Sequence, residues 1–124
     1  MIDISAALLD PELGAVSFTV ERSVWKRNQG ENVLLARSTA NAVGCIHPGT
    51  AETLSQLPEE DRHEEHIVIY TAYPLTLGQN DGLTFTTPDR IHWQDHIWRV
   101  VRVRDWSLFG YIQALAVRIQ EDLT

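Results

Sequence analysis

The residues best suited to chemistry in this chain are five histidines, a single cysteine and a run of acids. His63-Glu64-Glu65-His66 contains metal-ligating side chains, but its histidines are three residues apart. The helical H-E-x-x-H zinc motif needs a spacing of four to put both rings on one face. Beside Pro58 the segment reads more simply as a solvated, charged loop. Cys45-Ile46-His47 offers two ligand types without a second pair at metal-site spacing, and reads as a buried thiol beside a loop histidine. A Cys45 nucleophile using His47, His92 or His96 as base would also need an orienting group and oxyanion donors, and no local pattern supplies them. Clustered carboxylates serve acid–base catalysis only when desolvation separates their pKa values. The phosphate-binding patterns G-x-x-x-x-G-K and G-x-G-x-x-G are absent. The expectation is a protein that is not an enzyme, with no catalytic residue, metal ligand or cofactor.

The aromatics offer a different chemistry. Trp93, Trp98, Trp106 and Tyr111, with Arg99, Arg102 and Arg104 between them, would suit an OB-like module that stacks the bases of a single strand. Aromatics at alternating hairpin positions are more often cross-strand core pairs. A formal net charge of −7 also opposes an exposed phosphate track.

Elements able to position these residues must fit one domain, since 124 residues leave no room for a second core. The 44% hydrophobic content is that of an ordinary globular chain. One cysteine excludes an internal disulfide and fits a reducing cytosol. No apolar run approaches bilayer length, and Met1-Ile2-Asp3-Ile4 lacks the basic start of a secretory signal. Charge is unevenly placed: five acids face one arginine between Glu59 and Glu65, whereas Arg90, Arg99, Arg102 and Arg104 cluster later. These are either two solvated faces or two faces through which copies meet.

Val16, Phe18 and Val20 alternate with polar residues, and Val33-Leu34-Leu35-Ala36 returns after Gly30, which predicts a hairpin with a polar tip from Lys26 to Asn32. Trp25, at the edge of that tip, is either a lid on the core or an interface anchor, the lid being the simpler reading. Ala42 to Ile46 reads as a separate strand. Thr50 is placed to cap a helix from Ala51 to Leu57 that presents Leu54 and Leu57 on one face. Pro58 stops it before an exposed acidic loop. Ile67 to Ala72, apolar on both faces, is expected at the centre of the fold. Asn80-Asp81-Gly82 suggests a small hairpin pairing Leu75 and Leu77 with Leu83 and Phe85.

Arg90 to Trp93 and Ile97 to Val103 predict a further hairpin, turned at Asp95. The slip in alternation at Val100-Val101 calls for a β-bulge that keeps Trp98, Val100 and Val103 facing inward. Tyr111 to Ile119 supplies the last strand. The class expected is mostly β, a small antiparallel, partly closed β-barrel with one short α-helix. The barrel spans residues 14–119 of a single domain 1–124, with an N-terminal arm or short helix at 1–13 and a loose tail at 120–124.

From about Ile46 to Val117 the chain resembles the head closure, or head–tail connector, proteins of long-tailed phages. The features run in order. A short helix leads into Leu57-Pro58-Glu59-Glu60-Asp61-Arg62, followed by the strand Ile67-Val68-Ile69-Tyr70-Thr71. Asp89-Arg90-Ile91-His92-Trp93 precedes the hairpin, then come Trp98-Arg99-Val100, Val103-Arg104-Asp105-Trp106-Ser107 and Gly110-Tyr111. Asp95-His96 replaces a glycine common in such hairpins, and the Gly78–Pro88 connection is long. The first 45 residues match only in hairpin character.

The resemblance implies a structural ring subunit of the virion neck, made in the host cytoplasm. It would sit below portal and adaptor proteins, receive tail terminator or tail-tube proteins, and retain packaged double-stranded DNA; no membrane is involved. An acidic lumen would let DNA slide without sticking. A ring needs head-to-tail contacts between copies, for which Glu59, Glu60, Asp61 and Glu64 on one side and Arg99, Arg102 and Arg104 on the other are the candidates. Trp25, Lys26, Arg27, Asn28, Gln29 and Gly30, with Gly78, Gln79, Asn80, Asp81 and Gly82, are the candidate channel- or partner-facing loops. A tail completion or terminator role in the same neck is the near alternative, and the OB-like module the distant one.

Overall fold

Two long strands, β1 (Ala15–Asn28) and β2 (Glu31–Pro48), form a long hairpin. The computed structural model describes residues 15–62 and 64–119. The expected N-terminal arm, His63 and the tail 120–124 lie outside them. After the hairpin come α1 (Ala51–Leu54), a 3-10 turn (Glu59–Asp61) and β3 (His66–Thr71). The short β4 (Gln79–Asn80) and β5 (Thr84–Thr86) follow. β6 (Arg90–Trp93), β7 (His96–Trp106), a second 3-10 turn (Ser107–Phe109) and β8 (Tyr111–Arg118) complete the chain. No helix among these residues is long and apolar enough to cross a membrane.

The fold is mostly β and antiparallel throughout. One eight-stranded sheet runs in the order β2-β3-β8-β7-β6-β1-β5-β4, and β1 also pairs with β2. That extra pairing closes six strands into a ring, while β5 and β4 branch off the far half of β1. Alternation around the ring sends β1, β3 and β7 the same way. Their outgoing connections (29–30, 72–78 and 107–110) therefore share one end, the arm end. The connections 49–65 and 94–95 share the other, the helix end.

The ring is filled by Phe18, Val20, Ile67, Ile69, Ile91, Trp98 and Val100, with Ala114 and Ala116 allowing close approach from β8. Leu57, Val68, Leu115 and Val117 form a second cluster outside it, beneath the α1 segment. β3 and β8 are thus covered on both faces, as the unbroken apolar run of β3 required. In β7, Val100 pairs with Ala116 and Arg102 with Leu115, leaving Val101 as the extra residue of the expected bulge. Trp98 and Val100 are buried on the core side of it, and Val103 packs against the same cluster.

Several local expectations need correction. The hairpin tip is a two-residue turn, Gln29 (φ 49°) and Gly30 (φ 87°), so the polar residues around it lie in strands. This geometry follows the right-handed twist of the paired strands, which holds them together to their ends. The segments Val33–Ala36 and Ala42–Ile46 are parts of one strand, β2. Leu35 is an extra residue within it, because Val24 pairs with Ala36 and Trp25 with Leu34. The helix ends at Leu54, which is exposed, whereas Leu57 is buried, so the two do not share a face. Thr53 explains the change, since it turns inward to cap Thr50 and to bond His66. β4 and β5 pair through Gln79–Thr86 and Asn80–Phe85, while Leu75 enters the core and Leu77 and Leu83 remain exposed.

Candidate functional site

The two loops expected to face a partner meet at the arm end, and Arg27 joins them. Its backbone N–H donates to the Leu83 carbonyl at 2.7 Å, and its guanidinium donates to Asn80 Oδ1 at 3.0 Å and to the Gly82 carbonyl. The same guanidinium lies 4.6 Å from the centre of the Phe85 ring, a cation–π contact. Trp25 pairs with Leu34 on one side and Phe85 on the other, so these three and Asn80 form a row across β2, β1, β5 and β4. Trp25 is half-buried in this distal sheet, away from both core clusters, and the lid reading does not hold. Its indole N–H is buried without an acceptor.

A buried ion pair fixes the base of this unit. The Asp89 carboxylate is fully buried and receives Arg22 Nε at 2.9 Å and Nη2 at 2.8 Å. The Thr76 N–H donates to it at 2.9 Å, and the Asp89 N–H donates to the Thr76 carbonyl at 3.0 Å. Arg22 also donates to the Pro74 carbonyl. The carboxylate bond and the partner's charge hold the Arg22 pKa above its ordinary value, against the cost of burial. Both ends of the 72–89 connection are thereby tied to β1. Arg22 carried no mark in the sequence, since its partner lies 67 residues away.

The charged segments expected on opposite faces occupy one patch at the helix end. Arg99 donates to Asp61 Oδ1 at 2.8 Å, and Asp61 is buried rather than part of an exposed loop. Arg102 reaches the Gln56 carbonyl at 3.4 Å, and Arg118 lies 3.5 Å from Glu65. Glu59 and Glu60 are exposed and Glu64 is half-buried. Arg104 is exposed further along β7, opposite Gln113. Asp61 and Arg99, expected on opposite faces, thus pair with each other within one chain.

The chemistry-bearing residues are dispersed. His92 bonds Glu21 at 3.0 Å, and Arg37 lies 3.5 Å from the same carboxylate. His96 meets Trp98 edge-on, and His47 stacks on Tyr70. Half-buried Cys45 lies opposite Tyr70 and Ala15. Among the described residues no three of His, Cys, Asp and Glu converge as a metal site would require. Trp93 and Trp98, diagonal neighbours on β6 and β7, pack together, Trp98 in the core and Trp93 against it.

His66 has a structural position. Its Nε2 lies 2.8 Å from Thr53 Oγ1, and its ring covers Gly49 so closely that a Cβ there would overlap it. Burial lowers its pKa from the ordinary 6.5. A histidine with a lowered folded pKa contributes stability that is fully present above its unfolded value and is lost as the unfolded chain takes up the proton. Urea unfolding midpoints should therefore fall from pH 7.5 to pH 5 less steeply in His66→Gln than in the native chain. Equal slopes would show that His66 does not resist protonation.

A comparison with known proteins finds an uncharacterized protein of Xylella fastidiosa (strain 9a5c), 32% identical over 75 residues, covering 60% of this chain and 52% of that protein. The chain spans about half the length of the curated relative it matches. No family model matches the chain.

Proposed function

We propose that this protein is a structural subunit of a phage neck ring, joining the DNA-filled head to the tail and helping to retain the packaged DNA. The observation that carries this reading is the chemical difference between the two ends of the fold. The arm end displays Val33, Leu34, Leu35, Leu77, Leu83, Trp106, Leu108 and Phe109, all exposed. The helix end displays Glu52, Glu59, Glu60, Glu65 and Asp95, with Leu54 as its exposed large apolar side chain among the described residues. A part set between head-side and tail-side proteins needs two unlike axial surfaces, one able to bury apolar area and one polar. The motifs that resemble the connector family fall on β3, β6, β7 and β8 and on the α1 segment, which together make a continuous part of the ring. Exposed apolar groups in this number on a small domain favour a role in assembly.

The test is electron microscopy of virions from wild-type phage and from a strain lacking this gene. Filled heads that leak DNA and carry no tails are expected. Tails of abnormal length would shift the assignment to tail termination, and normal virions would overturn the neck reading.

A further inference from the structure

The ring closes six strands, yet the arm is open on both sides. β3 pairs with β2 only from Gly44 to Pro48, so among the described residues no strand covers the outer edge of β2 from Glu31 to Val43. Every residue from Glu31 to Thr39 is exposed, including Val33 (44%), Leu34 (38%) and Leu35 (51%). Long uncovered edges are normally blunted with charge, proline or bulges; this stretch has no lysine or proline, and only Glu31, Arg37 and the bulge at Leu35 interrupt it. Within the arm the order is β2-β1-β5-β4, so the opposite edge is β4. Beside it lie Leu77 and Leu83, the latter 70% exposed.

The two edges are compatible. Three successive antiparallel steps make β4 run opposite to β2, so β2 of one molecule can continue the sheet of the next by pairing with its β4. Their charges also suit each other: Arg37 on β2, 3.5 Å from Glu21 of its own chain, keeps half of its side chain exposed, and exposed Asp81 directly follows β4. Setting Arg37 opposite Asp81 brings Thr39 against Gln79 and carries Leu35 toward Leu83, since antiparallel register moves one residue forward for each residue back. The bulge at Leu35 ends regular pairing there and directs its side chain away from the strand's own alternation.

We infer that copies of this chain associate head to tail through the outer edge of β2 and the β4 edge of the next copy. Such a contact is heterologous and generates a ring when its rotation closes. This deepens the neck-ring reading and rests on it for the identity of the occupant.

The test is disulfide trapping in a Cys45→Ser background. Thr39→Cys and Gln79→Cys, combined in one chain and mildly oxidised, should give a ladder of linked oligomers on non-reducing gels, whereas each single variant should stay monomeric. Both positions are exposed, so thermal unfolding should match that of the Cys45→Ser parent and exclude misfolding. Absence of a ladder, or a dimer from Thr39→Cys alone, would overturn the head-to-tail contact. Defective necks without a ladder would put this contact in error but not the neck role. A ladder from a protein whose loss leaves virions normal would do the reverse.

Discussion

Replacing Asp89 with asparagine is expected to lower the stability of the domain by about 3–5 kcal/mol, the usual result of removing one partner from a buried ion pair. Asparagine keeps the volume and can still accept from Thr76, but Arg22 then loses the charge that both of its nitrogens address. Arg22 is only partly covered, so its guanidinium can recover some hydration, which places the loss toward the lower end of that range. Even that is a large share of the roughly 5–15 kcal/mol that holds such a domain together. The damage is also local. Released from Asp89, the 72–89 connection loses the anchor at both of its ends, and with it the platform on which β4 and β5 meet Arg27. Urea unfolding gives the overall loss, and a cycle with Arg22→Met gives the coupling. A midpoint within experimental error of the native one would mean that the pair adds nothing to folding.

Trp98→Ala is expected to cost a similar amount, about 3–5 kcal/mol, for a different reason. Trp98 is almost fully buried opposite Ile91, close to the turn that joins β6 to β7. Its indole packs on Trp93 and His96, and its N–H donates to the Trp93 carbonyl at 3.3 Å. Truncation leaves a cavity that these neighbours cannot fill, because Ile91 and Val100 are held by pairing on either side. Trp98→Phe, which keeps most of the ring and loses the hydrogen bond, should cost only about 1–2 kcal/mol. The contrast between the two variants, read from urea midpoints, separates packing from polar contact. Equal losses would show that the hydrogen bond, not the ring, is what matters.

The parts of the fold that were legible in the sequence are those governed by local rules. Alternation marked β1, β6, β7 and β8, the slip at Val100-Val101 marked the bulge, and Thr50 marked the start of α1. Asp95, at φ 63°, took the left-handed turn for which its type is suited. What local pattern misread depended on distant partners. Ser38 to Asn41 carry no strand signal, yet β1 holds them in register along its whole length, so one strand replaced two. Thr53 looked like an ordinary helical residue until His66, 13 positions on, gave it a reason to face inward.

The two candidate loops were read as separate polar excursions, and the structure brings them together at the arm end. Arg27's role as their link was not readable, because a cation in a polar tip looks solvated until Asn80, Gly82 and Phe85 are placed around it. The acidic segment shows the opposite case. Its composition implied a free charged face, and only the fold reveals that Asp61 has its counterion in Arg99.

The pairing of β1 with β6, on the other side of β1 from β2, also governs how fast the native state is reached. β1 and β2 meet across two residues and can zip locally, but β1 must wait for β6, which joins it with Glu21 and His92 separated by 71 positions. Chain entropy is spent on that closure before the contacts of the pairing offset it. High contact order of this kind places folding in the slow, roughly millisecond-to-second range of all-β domains. For that interval the hairpin stands formed while its unclosed side is open, and the newly made chain passes through a stage in which concentration decides between rolling up alone and pairing with a neighbour.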